Sequence, residues 1–209
     1  MADIFDEINE ELKKDRMTAL WERYAKYVIS IVVAVVAGVS LTQGYSYYTQ
    51  QRDAQSADVF FNAILSDDVT GKLEAATEEF SDGYFLLAEF RLAAALAENG
   101  QAAEAEKHYI DLAARDNIQH IYRDIALLLS VMQAPDTAQV SALESRLDPL
   151  VSSSSPLKGL ALEQLAALDV RRGQIAEAIE KLNQLVAMKD IPTSLRQRAS
   201  QILAVLDSS

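Results

Sequence analysis

Two histidines and a few paired carboxylates are the residues of this chain whose chemistry could serve a reaction. His108 and His120 are twelve residues apart. Neither stands in the Glu-x-x-His or His-x-x-x-His spacing that puts two metal ligands on one helix face. The acidic pairs at 67–68 and 78–79 fall at predicted helix ends or on solvated faces, where surface charge explains them. The sequence therefore predicts no catalytic, metal-binding or cofactor-binding residues, and a protein that is not an enzyme.

The composition excludes further classes of site. The chain has no cysteine, so it forms no disulfide, no cysteine zinc site and no thiol nucleophile. Its formal net charge of −12 argues against nucleic acid, whose binding needs a positive footprint. The sequence also lacks the Walker loop, the dinucleotide fingerprint and the Gly-x-Ser-x-Gly elbow. What remains is a chain that works by binding.

Four aromatic residues cluster around one predicted helix start: Phe80, Tyr84, Phe85 and Phe90. Core packing explains most of such a cluster. Those that face outward would instead form the floor of a groove for apolar segments of a client chain. The candidate groove residues are Tyr84, Phe85 and Phe90, and the sequence leaves both interpretations open.

The elements that would carry these residues are helices. Apolar residues recur at helical spacing beyond residue 52, and the seven glycines and four prolines fall mostly in short breaks. The pattern predicts helices over 53–66, 71–81, 84–98, 101–114, 118–132, 137–150, 156–171, 174–188 and 193–206. The predicted fold class is all-α.

A sequence repeat organises these helices. The segment Gly-Gln-Ala-Ala-Glu-Ala at 100–105 matches Gly-Gln-Ile-Ala-Glu-Ala at 173–178 in five of six positions. A glycine ends the first helix of a hairpin, small residues let the two helices cross closely, and a large residue packs into the next layer. The residues predicted to do this are Ala93, Gly100, Ala105 and Tyr109 in one copy and Ala166, Gly173, Ala178 and Leu182 in the other.

This arrangement resembles the tetratricopeptide repeat, with departures. The two glycines are 73 residues apart, whereas two standard repeats span about 68. Glu89 and Leu162 stand where the repeat has an aromatic residue, and Asn117 and Asp190 stand where it has proline. We expect two good repeats with degenerate neighbours, stacked into an α-solenoid.

An apolar segment precedes the repeats. Residues 27–51 carry no charge and lie between Lys26 and Arg52, with aromatic residues near both ends. About 20 apolar residues cross a bilayer as a helix, and aromatic rings favour its two interfaces. The sequence predicts a single transmembrane helix over 24–48. A cleaved signal peptide is the alternative, although the leader is long and no Ala-x-Ala site follows.

The flanking charges set the predicted topology. Five lysines and arginines lie between residues 13 and 26, whereas Arg52 is the only base between the span and Lys72. Basic residues mark the cytoplasmic side. We therefore expect a cytoplasmic leader over 1–23 and a periplasmic tetratricopeptide-like domain over 49–209.

Small residues recur every fourth position along the predicted span: Ser30, Ala34, Gly38 and Thr42. Such a ridge lets another helix approach closely in lipid. The partner would be a second copy, giving a homodimer, or another membrane protein. Chance is the alternative, because small residues are common in membrane spans.

The layout as a whole resembles the YfgM-like family, in its alphaproteobacterial branch. The resemblance rests on the opening Ala-Asp-Ile-Phe-Asp-Glu-Ile at 2–8, on Trp21 and Tyr24, and on one span ahead of a repeat domain. It implies an ancillary subunit of the SecYEG translocon in the bacterial inner membrane. Its partners would be the translocon, periplasmic chaperones and exported client proteins, and the family has no catalytic residues. The competing hypothesis is a self-associating scaffold or adaptor in an envelope or division complex.

Overall fold

The structure is a computed structural model that describes residues 35–207. The chain divides into two units, residues 1–55 and residues 56–209. All regular structure in the described range is helical, as the sequence predicts. Residues 1–34, which hold the predicted leader and the first part of the predicted span, lie outside the described residues.

The described range contains nine α-helices. The first, α1, is helical over 35–64. The others are α2 (Val69–Ala75), α3 (Asp82–Glu98), α4 (Ala102–Ala113), α5 (His120–Met132), α6 (Val140–Ser152), α7 (Lys158–Arg171), α8 (Ile175–Ala187) and α9 (Thr193–Leu206). A short 3-10 turn, Thr77–Glu79, follows α2.

The predicted helix over 71–81 is the one that differs most. Asp68 caps α2, because its side chain accepts a hydrogen bond from the Gly71 backbone N–H at 2.9 Å. The helix therefore begins two residues earlier than predicted. It ends at Ala75, and the chain becomes extended at Phe80.

Two hairpins end their first helix in the same way. In the Gly100 hairpin, formed by α3 and α4, the Gly100 N–H bonds the Ala97 carbonyl and the Gln101 N–H bonds the Leu96 carbonyl. The Gly173 hairpin, formed by α7 and α8, repeats both bonds at the equivalent positions. This Schellman motif needs a left-handed residue, and the two glycines have φ of +80° and +76°.

The hairpins stack in chain order within residues 56–209. Each helix from α3 to α9 packs on the next, and α7 also contacts both α5 and α9. The alternate helices α5, α7 and α9 are therefore neighbours and form one layer of a solenoid. The buried apolar side chains separate into clusters that follow one another along the chain. Such local packing is typical of helical repeat proteins.

No helix within residues 35–207 is long and apolar enough to cross a membrane. The predicted span over 24–48 begins before that range, so the prediction stands untested.

Candidate functional site

The small residues of the repeat lie where the two helices of each hairpin meet. All four are almost fully buried: Ala93, Ala105, Ala166 and Ala178. A methyl side chain lets helix backbones approach closely, and any larger side chain at such a crossing would overpack the core. These residues hold the hairpins in place and leave the recognition of partners to other positions.

The large residue of each repeat is buried as well. Tyr109 packs against Phe90 with ring centroids 6.1 Å apart, and Leu182 lies in the cluster between α7, α8 and α9. Burial raises the pKa of the Tyr109 phenol, which nearby Arg91 partly offsets. Tyr109 therefore packs within its own hairpin, whereas Leu182 joins the Gly173 hairpin to α9.

The three candidate groove aromatics do not come together on one open surface. Tyr84 packs on Phe60 at 6.0 Å between ring centroids, and the Arg115 guanidinium lies 4.1 Å from the centroid of the Phe85 ring. Phe90 belongs to a different cluster, which forms between α3, α4 and α5. All three are half-buried, so each already has a packing role within the chain.

An open groove lies instead along the layer formed by α5, α7 and α9. It encloses about 710 Å³ and is mostly apolar. We call it the central groove. Its principal apolar residues are Leu129, Met132, Leu160, Val170, Ile202 and Leu206. Met132 is 51% exposed and Val170 is 38% exposed, so large apolar side chains stand open to solvent there.

One ion pair lies in the wall of the central groove. The Glu163 carboxylate receives two hydrogen bonds from Arg198, and the one from Nη2 to Oε2 measures 2.5 Å. This hydrogen bonding and the nearby negative charge raise the pKa of the Arg198 guanidinium further above its usual range.

The sequence contains a signal for this groove that no short motif carries. Arg198, Ile202 and Leu206 follow one another at every fourth residue of α9, and Leu128 and Met132 do so in α5. Each set forms one stripe along one helix face. Recognising the stripes as one surface required knowing that α5, α7 and α9 are neighbours, and that is a tertiary fact.

The ridge predicted for the membrane span lies only partly in the described range. Ser30 and Ala34 fall outside it. A Cβ atom at Gly38 would meet nothing within 4 Å, and the Thr42 hydroxyl donates to the Val39 carbonyl at 2.9 Å. Within residues 35–207, nothing packs against Gly38.

The two histidines lie in different surroundings. His108 is part-buried, and its Nδ1 lies 3.1 Å from a Glu89 carboxylate oxygen. His120 is exposed at the start of α5. Within residues 35–207, no three histidine or acidic side chains converge as metal ligands would.

The chain matches the model of a known family. The model of the tetratricopeptide repeat-like domain covers residues 18–128, just over half of the chain. No curated protein and no solved structure matches the chain. The match ends within α5, so the Gly173 hairpin and the central groove lie largely beyond it.

Proposed function

Because the chain belongs to the tetratricopeptide repeat-like family, we propose that it is a membrane-anchored solenoid that binds newly exported proteins at the SecYEG translocon. The observation that carries the proposal is the central groove, an open apolar surface on a helical repeat. Repeat domains of this kind typically act as protein-interaction modules without catalysis. The translocon and the periplasm are inferred from the sequence, and the groove supports the binding of apolar segments.

The central groove suits apolar segments of an unfolded chain. A large side chain buried there would gain about 1.5–3 kcal/mol, which is offset by the cost of ordering the client. Binding would therefore be weak and reversible. Tethering the solenoid beside a channel exit raises the effective concentration of each emerging segment, so weak contacts suffice.

A membrane anchor over 24–48 is part of the proposal. Four aliphatic side chains at the start of the described part of α1 are exposed: Val35, Val36, Val39 and Leu41. Exposed apolar side chains along one helix favour a lipid environment. With the basic flank at the N-terminal side, the leader would lie in the cytoplasm of a bacterium and residues 49–209 in its periplasm.

The charge of the domain would serve its solubility and its choice of partners. From Arg52 onward the chain carries 24 acidic and 14 basic residues. This excess keeps the domain soluble and favours encounter with basic surfaces. Translocon subunits and periplasmic chaperones are the proposed standing partners, and exported chains are the transient ones.

In-cell photocrosslinking would test the groove. A photoreactive amino acid at Met132 or Val170 should capture exported chains. Leu87 on α3, which is as exposed as Met132 but does not line the groove, is the matched control. We expect strong adducts from the two groove positions and weak ones from Leu87. Equal labelling from Leu87 would show that the groove is not the binding site.

Purification from membranes would test the place of action. Under mild detergent the full-length chain should retain translocon subunits. If they were consistently absent while groove crosslinks persisted, the chain would bind clients elsewhere in the envelope.

The scaffold hypothesis has one observation in its favour. Among residues 35–207 nothing packs against Gly38, which is what a contact with a second helix requires. If the ridge serves a homodimer, Gly38→Ile should abolish self-association and leave translocon retention less affected. The reverse result would assign the ridge to a translocon partner.

A further inference from the structure

The ion pair of the central groove is asymmetric. The Glu163 side chain is 9% exposed, whereas the Arg198 side chain is 54% exposed. Both oxygens of Glu163 accept from Arg198, through Nε and Nη2. The Nη1 group has no hydrogen-bond partner within residues 35–207, so its two donors point to solvent or to an occupant. An occupant of the groove therefore meets the positive end of the pair.

We propose that Arg198 selects, among apolar segments, those that place a side-chain carboxylate of aspartate or glutamate at this end of the groove. The inference rests on the proposed binding of client segments in the groove. Arg198 and Glu163 are the only charged residues that line it in the described part of the chain. Glu163 fixes the guanidinium in place, so little side-chain entropy is lost when a second carboxylate binds.

The carboxylate belongs to a side chain and not to a chain terminus. Segments that leave a translocation channel are internal, because the carboxyl end of a client emerges last. A groove that acts during export therefore meets side-chain carboxylates.

The acidic excess of the domain acts at longer range than a direct contact with Arg198. Exposed charges more than about 8 Å away are largely screened at physiological ionic strength. The excess acts on encounter, where it favours basic flanks, and Arg198 acts in the contact itself. The two effects select different parts of one client segment.

Peptide binding would test the proposal with the full-length chain in lipid nanodiscs. The probes are fluorescent, C-terminally amidated helical peptides with leucine at i, i+3, i+4 and i+7. Each remaining position is set in turn to glutamate, glutamine or lysine. At one register we expect the glutamate peptide to bind roughly three- to tenfold more tightly than the lysine peptide, as for partly exposed charge pairs. Empty nanodiscs correct for binding to lipid.

Variants of the pair sharpen this result. Arg198→Gln leaves the Glu163 carboxylate unpaired, so the preference should invert in favour of lysine. The double variant E163Q/R198Q removes both charges and keeps two amides, so all peptides should bind with similar affinity. Arg172→Gln is the matched control. Arg172 pairs with Glu144 at a distance of 2.5 Å, and neither residue lines the groove. Circular dichroism shows whether each variant stays folded.

The outcomes separate this inference from the proposed function. If leucine peptides bind but glutamate and lysine versions are equal, or if the preference survives Arg198→Gln, the selection by Arg198 is wrong. If no peptide binds the wild-type chain, and Met132→Glu leaves the crosslinking of exported chains in cells unchanged, the groove itself is not a client site. A peptide whose only carboxylate is its C-terminus should bind no better than its amide, and a clear gain there would reassign the site to chain ends.

Discussion

The Gly100 and Gly173 hairpins share several buried aliphatic positions and differ in the side chains at other positions. Shifted by 73 residues, their buried aliphatic positions coincide: Ala88 with Ala161, Leu92 with Leu165, and Leu112 with Leu185. The hairpins differ at other positions, one of which is Phe90 in α3, where α7 has Glu163. Phe90 packs on Tyr109 within its own hairpin, whereas Glu163 reaches Arg198 of α9. The shared buried positions fix the geometry of both hairpins. The position held by Phe90 in one and Glu163 in the other is therefore available for recognition.

The polar pairs of the two hairpins make the same point. His108 and Lys181 occupy equivalent positions in α4 and α8. His108 meets Glu89, whereas Lys181 meets Asp169 at 2.5 Å. The position of each acid is apolar in the other hairpin, as Leu162 and Leu96, and both leucines are buried. Each repeat therefore links its two helices with one polar pair. The acid of the pair lies at a different position along the first helix in each repeat.

The largest effect is expected from removing the large buried residue of each hairpin. Tyr109→Ala and Leu182→Ala should each lower the free energy of unfolding by roughly 2–5 kcal/mol, since both side chains are buried. Urea unfolding followed by circular dichroism would measure the loss. Gln184→Ala, at an exposed position of α8, is the control and should change little. If only one hairpin tolerated its substitution, the two would not share this contact.

A smaller loss is expected from breaking the polar pair of the Gly173 hairpin. Lys181→Met leaves the buried Asp169 carboxylate without its partner and should cost about 2 kcal/mol in unfolding free energy. Adding Asp169→Leu, which copies Leu96 of the other hairpin, should recover most of that loss. Lys189→Met, at an exposed site, is the control. A double variant no more stable than Lys181→Met would mean that the two positions are not interchangeable.

The two glycines offer a matched test of the turns. Gly100→Ala and Gly173→Ala should each cost about 1–2 kcal/mol, because a Cβ atom is strained at positive φ although it meets nothing within 4 Å. The two losses should agree within a few tenths of a kcal/mol, as measured by thermal unfolding. Gly83→Ala, at an ordinary φ in α3, should instead stabilise by about 0.5–1 kcal/mol. Unequal losses would show that one turn is supported by more than its own backbone.

Much of the repeat fold was accessible from the sequence, because its signals are local. Helix periodicity, Gly100, Gly173 and the short breaks all act within a few residues, and the predicted helices from α3 onward end close to the observed ones. Asp68 shows the limit at this level. The sequence predicts that this acid is a solvated surface charge. In the structure it caps α2, because it accepts a hydrogen bond from a backbone N–H.

The candidate site was far less accessible. The aromatic cluster at 80–90 drew attention by composition, yet its members pack inward against α1, α4 and α5. The central groove combines residues that are unremarkable in sequence, such as Met132, Val170 and Arg198. They become one surface only through the stacking of α5, α7 and α9. Solenoid surfaces arise between repeats, whereas motif searches examine one repeat at a time.

The smallest effect distinguishes the two large buried residues by chemistry. Only Tyr109 can ionise, and burial raises the pKa of its phenol above the unfolded value of about 10. The folded state therefore holds the phenol proton more tightly than the unfolded chain does. This contribution to stability is complete below about pH 10 and is lost as the pH rises through the folded pKa. Tyr109→Phe removes the titration, so the stability of wild type should fall more steeply than that of the variant above about pH 10.

Urea unfolding of both proteins from pH 8 to 11 would measure this difference. Leu182→Met, a volume-conserving change at the equivalent residue of the Gly173 hairpin, should keep the alkaline slope of wild type. Parallel slopes for wild type and Tyr109→Phe would mean that the Tyr109 hydroxyl reaches solvent in the folded chain. The Gly100 hairpin would then be packed more loosely around its aromatic residue than the Gly173 hairpin is around its leucine.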